Sequence, residues 1–141
     1  MGTWATGPYG NDFAQDWAQD LHESNDLYFI ADTLDNVLSP DHADYLEAPF
    51  GAEGLAAVET LLRLEGRGGA ADEDSAGIDE WVAVVRPKYK SRTDLVEKAG
   101  RVLELVLGER SELRELWQDS EHYDSWRATV EDQVARLRRA G

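Results

Sequence analysis

Apolar residues recur along this chain at three- and four-residue intervals, in separate runs, the spacing that gathers them on one side of an α-helix. Phe13, Ala14, Trp17, Ala18 and Leu21 make the first run, with Asn11 or Asp12 placed to cap it. Leu27, Ile30, Ala31, Leu34, Val37 and Leu38 make the second and most regular one; Ser24 is its expected cap and Ser39-Pro40 its stop. Residues 39–51 read as an irregular connection. A third helix is predicted from Ala52 or Glu53, with Leu55, Val58, Leu61 and Leu62 on its stripe, ending before Gly66, Gly68 and Gly69. Ile78, Trp81, Val82 and Val85 predict a short fourth helix stopped by Pro87, and a lone strand over 82–85 would have nothing to pair with. Thr93 opens a fifth helix carrying Leu95, Ala99, Val102, Leu103, Val106 and Leu107, with Gly108 as its stop. Ser111 caps a last helical region in which Leu113, Leu116 and Trp117 precede a turn at Asp119-Ser120, and Tyr123, Trp126, Val130, Val134 and Leu137 continue the stripe. Arg136, Arg138 and Arg139 complement the negative end of its dipole.

The pattern therefore predicts an all-α fold: one domain over residues 1–141, a bundle of about six helices, with an ordered aromatic and glycine-rich N-terminal lead. Residues 66–77, rich in Gly, Ala and acids, are expected to form a flexible acidic loop. Composition agrees with a folded globular chain, being 42% hydrophobic with five Trp and only four Pro. No apolar run approaches the roughly 20 residues of a membrane span, and the N-terminus lacks a basic-then-apolar leader, so the expectation is a cytoplasmic protein with no membrane contact. The abundance of Ala, Gly and Arg suggests a bacterial source.

Charge changes the picture more than composition does. The net charge is −15, and the first Lys or Arg in the chain is Arg63; twelve carboxylates precede it, leaving −12 on the first part and −3 on the rest. Such a surface repels nucleic acid and attracts a basic protein. Asp12, Asp16 and Asp20 stand four apart on the first predicted helix, and like charges so spaced cost an isolated helix roughly 0.2–0.5 kcal/mol per pair. With Asp26 they are the expected contact residues for a basic partner.

Candidate chemistry is sparse. There is no cysteine, which excludes thiolate catalysis, disulfides and Cys-held metals. His22, His42 and His122 belong to no metal-binding spacing, and no cofactor motif occurs. Asp72-Glu73-Asp74-Ser75-Ala76-Gly77 begins like a calcium loop, but Ala76 and Ala83 stand where ligands are required, so no metal is expected. Trp4, Tyr9, Trp17 and His22 are the residues that would line a pocket between the lead and the first helix, although aromatics at such spacing more often fill a core.

The opening Met1-Gly2-Thr3-Trp4-Ala5-Thr6-Gly7-Pro8-Tyr9-Gly10-Asn11-Asp12, followed by Ala14 and Asp16-Trp17, resembles the start of the bacterial family DUF4259, a domain of unknown function. Tyr45-Leu46-Glu47-Ala48-Pro49 and Ser111-Glu112-Leu113-Arg114-Glu115-Leu116-Trp117 are further points of likeness, so the resemblance spans the chain. Ala5 and Gly10 depart from the usual glycine and acidic residue. The resemblance implies a compact bacterial domain and supplies no catalytic residue. Three functional expectations stand side by side. The first is a non-enzymatic, immunity-like or regulatory module that engages a basic protein. The second is a small enzyme or ligand- or cation-binding domain with its site between the lead and the first helix. The third is a scaffold that only self-associates.

Overall fold

The computed structural model describes residues 6–24 and 26–140. Among these, seven α-helices occur: α1 (Asp12–Leu21), α2 (Tyr28–Val37), α3 (Ala48–Leu64), α4 (Ala76–Val85), α5 (Thr93–Leu107), α6 (Glu112–Gln118) and α7 (Tyr123–Ala140). Short 3-10 turns at Pro40–His42 and Arg86–Lys88 complete the regular structure. The count exceeds the expected six because the chain breaks at Asp119–Ser120, where the Ser120 N–H returns to the Trp117 carbonyl, and α6 and α7 become separate helices. Their stacked indoles, Trp117 and Trp126, lie 6.3 Å apart and hold the corner.

The bundle is built around α3, which packs against each of the other six helices. Its sequence explains this position. Ala, Gly and Leu dominate every side of it, and a helix apolar all round has no face for water. The neighbours approach closely enough that a Cβ on Gly54 would lie 2.9 Å from Val102 Cγ1 and 3.2 Å from Val37 Cγ2, so the crossing of α2, α3 and α5 requires glycine there. At the far end of α3 the chain turns on Gly66, whose φ of +78° is the left-handed conformation that glycine adopts without cost.

Three local expectations are corrected. Helix α3 starts at Ala48, four residues before the expected Ala52, because Pro49 is acceptable in the first turn and the Ala48 N–H is bound by Glu112 Oε1 at 2.7 Å. That cap comes from α6. It is set by a bridge in which the Leu46 N–H donates to the Arg110 carbonyl and the Glu112 N–H to the Leu46 carbonyl. Helix α2 starts at Tyr28, whose N–H donates to Asp26 Oδ1 at 2.9 Å, in place of a cap by Ser24; the Ser24 carbonyl instead accepts the Trp81 indole N–H at 2.6 Å. Leu116, expected in the stripe, is 50% exposed because α6 is too short to turn more than Leu113 and Trp117 inward. Among the described residues no strand forms, and Val82 and Val85 are buried on α4 as the helical reading requires.

Replacing Gly54 by Leu is expected to destabilise the fold by at least about 2 kcal/mol through overpacking against Val37 and Val102. Urea denaturation measures this; an unchanged midpoint would show that the α2–α3–α5 crossing is looser than its distances.

Candidate functional site

Helix α3 has two residues that its surroundings make expensive. Glu59 and Thr60 are 1% and 0% exposed, so neither can reach water and each must find its partners inside the protein. Thr60 donates to the Ala56 carbonyl at 2.8 Å and accepts from the Tyr9 hydroxyl at 2.9 Å, which draws the end of the N-terminal lead onto the bundle. Burial pushes the Tyr9 phenol up from its ordinary value, so it remains a neutral donor at any physiological pH.

The Glu59 carboxylate collects four hydrogen bonds. Arg136 of α7 grips both oxygens, with Nη2 2.8 Å from Oε1 and Nη1 2.9 Å from Oε2. Gln133 Nε2 donates to Oε1 at 3.2 Å, and the Gly69 N–H donates to Oε2 at 2.8 Å. Burial disfavours the Arg136 cation, yet its hydrogen bonds to Glu59 and the charge behind them more than offset this, and the guanidinium is held above its ordinary value. Arg136 also takes Asp132 Oδ2 at 2.9 Å and the Arg67 carbonyl at 3.0 Å.

Arg63, one turn along α3, is the first Lys or Arg of the chain. Its guanidinium lies 5.7 Å from the centre of the Tyr9 ring and donates to the carbonyls of Gly69 and Ala70, and Asp79 of α4 is 3.3 Å from Nη1. Glu59, Arg63 and Arg136 thus fasten residues 67–70 of the loop that was expected to be flexible. Further along, Asp72 and Ser75 close a turn by reciprocal side-chain to backbone bonds, and α4 begins at Ala76.

These groups line an open cleft of about 240 Å³, bounded by residues 7–10, α3, α7 and the loop, with Asp72, Asp74 and Asp132 at its rim. Of the residues expected in a pocket, Tyr9 is in its wall. Trp17 is buried elsewhere, stacked on Phe29 with its indole N–H 2.7 Å from Thr33 Oγ1, and exposed His22 lies against Gly77 at the start of α4. Trp4 lies outside the described residues. Helix α1 contributes nothing to the lining, so this cleft is bounded by the lead, α3 and α7 and not by the first helix.

Asp12, Asp16, Asp20 and Asp26 are all exposed, and none forms an ion pair among the described residues. The α1 row extends onto α3: the Glu53 carboxyl is pushed up from its ordinary value by burial first and by the Asp20 charge second. No group of three or more His, Asp or Glu placed to hold a metal ion occurs among the described residues.

The residues that sequence reasoning missed are Glu59, Thr60, Arg63, Gln133 and Arg136. A signal was present: Glu59 falls between Leu55 and Leu62, and Gln133 between Val130 and Leu137, on stripes where a polar residue implies an internal partner. Arg136→Ala is expected to cost about 3–5 kcal/mol, the range for stranding a buried charge, whereas the paired change Glu59→Leu with Arg136→Leu should recover most of it. Chemical denaturation of the three proteins measures both, and trypsin should cut after Arg67 faster in the single variant. A loss well below 1 kcal/mol for Arg136→Ala would show that Glu59 is not held as described.

Among the described residues no helix is long and apolar enough to cross a membrane. No curated protein and no solved structure matches the chain. Residues 2–129 do match a family described as a domain of unknown function, DUF4259, and with nine-tenths of its length covered the chain belongs to that family.

Proposed function

We propose that this is a cytoplasmic bacterial protein-binding module, non-enzymatic and immunity-like or regulatory, that captures a basic protein through the acidic surface of α1 and α2. The observation that carries the reading is the row of unpaired carboxylates on that surface, where Asp35 of α2 is the one met by a cation, Lys98, among the described residues. Asp12, Asp16, Asp20 and Asp26 point to solvent without a cation beside them among the described residues, and Asp20 presses on Glu53. Like charges held together by a fold repel in the free protein, and a cationic partner removes that repulsion on binding while the field speeds encounter. Tyr28 stands 75% exposed between Asp26 and Asp32, an aromatic of the kind that anchors interfaces.

The cleft supports this choice over a small-ligand site. Its volume of about 240 Å³ is below the usual range of roughly 300–1,000 Å³ for ligand pockets. The Glu59 carboxylate and the Arg63 and Arg136 guanidiniums are also committed to one another, to backbone carbonyls and to Asp79, so they serve the fold.

Binding to the purified product of a neighbouring gene that encodes a basic protein should weaken at least tenfold between about 0.1 M and about 1 M salt, as the Debye length falls from roughly 10 to 3 Å. The combined variant Asp12→Asn, Asp16→Asn, Asp20→Asn should bind more weakly at low salt and lose most of the salt dependence. Binding indifferent to salt, or equal in the variant, would overturn the proposal.

The free protein carries a pH signature at Glu53, whose carboxyl is raised by burial first and by the Asp20 charge second. A carboxyl whose pKa is raised by folding makes no difference in acid, where it is protonated in both states. It costs stability progressively as pH rises from its unfolded value through its folded one. Glu53→Gln should therefore raise the thermal midpoint at pH 7 and leave it unchanged below about pH 4. A midpoint gain that persists in acid would assign the effect to packing.

A further inference from the structure

We infer that the segment joining α4 to α5 is a docking strip for an extended acidic peptide of another protein, apart from the acidic surface of α1 and α2. The segment reads Arg86-Pro87-Lys88-Tyr89-Lys90-Ser91-Arg92, and no carboxylate occurs between Glu80 and Asp94. In a chain with 29 acids and 14 bases, Arg86, Lys88, Lys90 and Arg92 thus follow one another at every second position without an acid among them. The charge balance of the molecule is reversed here.

The fold fixes which way these side chains face. The backbone is extended at Tyr89 (φ −74°, ψ 133°) and at Arg92 (φ −119°, ψ 102°), so neighbouring side chains leave on opposite sides. The Tyr89 hydroxyl and Ser91 Oγ both donate to Glu65 Oε2 just past α3, the second at 2.9 Å, which turns that side of the segment onto the bundle. Lys88, Lys90 and Arg92, at the alternate positions, are exposed. Their repeat along the chain is roughly 6.4–6.8 Å, two residues of strand rise.

The bundle makes no use of most of these charges. Arg86, Lys88 and Lys90 form no ion pair among the described residues. The carbonyls at the end of α3, which a nearby cation could serve, already accept the N–H groups of Glu65, Gly66 and Arg67. Asp94 grips Arg92 at 2.9 and 2.8 Å and closes the strip.

Two observations select a peptide among anions. The backbone N–H and C=O groups of Lys90 and Ser91 bond to no group among the described residues, so the strip offers main-chain pairing as well as charge. A peptide strand laid beside it has the same two-residue repeat, and carboxylates at alternate positions fall opposite Lys88 and Lys90. A DNA strand has no backbone donor for the Lys90 and Ser91 carbonyls. A long polyanion would also overrun the strip onto the acids that bound it, on a molecule of net charge −15. A short acidic segment meets only the cations.

Fluorescence anisotropy with a labelled peptide alternating Asp and Thr should show binding to the full chain with a Kd on the order of 100 µM at about 0.05 M salt. The double variant Lys88→Glu, Lys90→Glu should bind it at least about tenfold more weakly with unchanged helical circular dichroism, and a peptide with the same residues in block order, all Asp and then all Thr, should lose about threefold. Amide hydrogen exchange at Lys90 and Ser91 should slow in the complex. No binding, equal binding by the double variant or of the block peptide, exchange at Lys90 and Ser91 untouched by the peptide, or an oligothymidylate bound as tightly as the peptide would overturn the inference.

Discussion

The structure depends on satisfying one buried carboxylate. Glu59 sits in the helix that touches all the others and is buried there, so its charge has to be met from within. Meeting it fixes three parts of the chain at once. Arg136 and Gln133 set the rotation of α7 about its own axis, the Gly69 N–H sets the path of the loop, and Arg63 beside it closes the loop carbonyls and the Tyr9 ring into the same cluster. A hydrophobic contact at this position would hold the elements together without specifying their register. A bidentate guanidinium tolerates little error in distance or angle.

Such an arrangement is not a cheap source of stability. Desolvating a carboxylate and a guanidinium costs several kcal/mol per ion, and well-packed apolar residues of similar volume often do as well or better. What the ion pair provides here is position, because the partners come from residues 77 apart in sequence and from a loop with almost no apolar side chains of its own. It also decides what the outer surface looks like. Arg63 and Arg136 are spent inward on Glu59, Asp79 and Asp132, so they do not neutralise the acids of α1 and α2. The exposed negative field follows from where the cations had to go.

Much of the fold was legible because most helices here carry their own instructions. Asn11 accepts the Ala14 N–H and Ser111 the Arg114 N–H, as their places before apolar stripes imply, and α5 runs from Thr93 to Leu107 as its pattern does. The misreading of α3 occurs where the deciding group is distant, whereas the start of α2 is set by Asp26 close by. The start of α3 depends on Glu112, 64 residues away, and no local pattern encodes that capping bond. Arg136 was read from its position near a helix end, an interaction worth about 0.3–1 kcal/mol. It answers instead to a buried carboxylate, where the penalty for absence is several times larger. The cluster around Glu59 was missed because sequence periodicity shows that a residue faces inward but not which residues on other helices face it there.

The same electrostatics shapes the acidic surface. On α2, Asp35 is met by Lys98 of α5 at 2.7 Å, whereas Asp12, Asp16, Asp20 and Asp26 have no cation beside them among the described residues. Two copies approaching through that row would repel, so the field there favours a basic chain over a second copy. Spreading the acid evenly would remove that preference. With Arg63 and Arg136 drawn inside by Glu59, the row on α1 stays unneutralised.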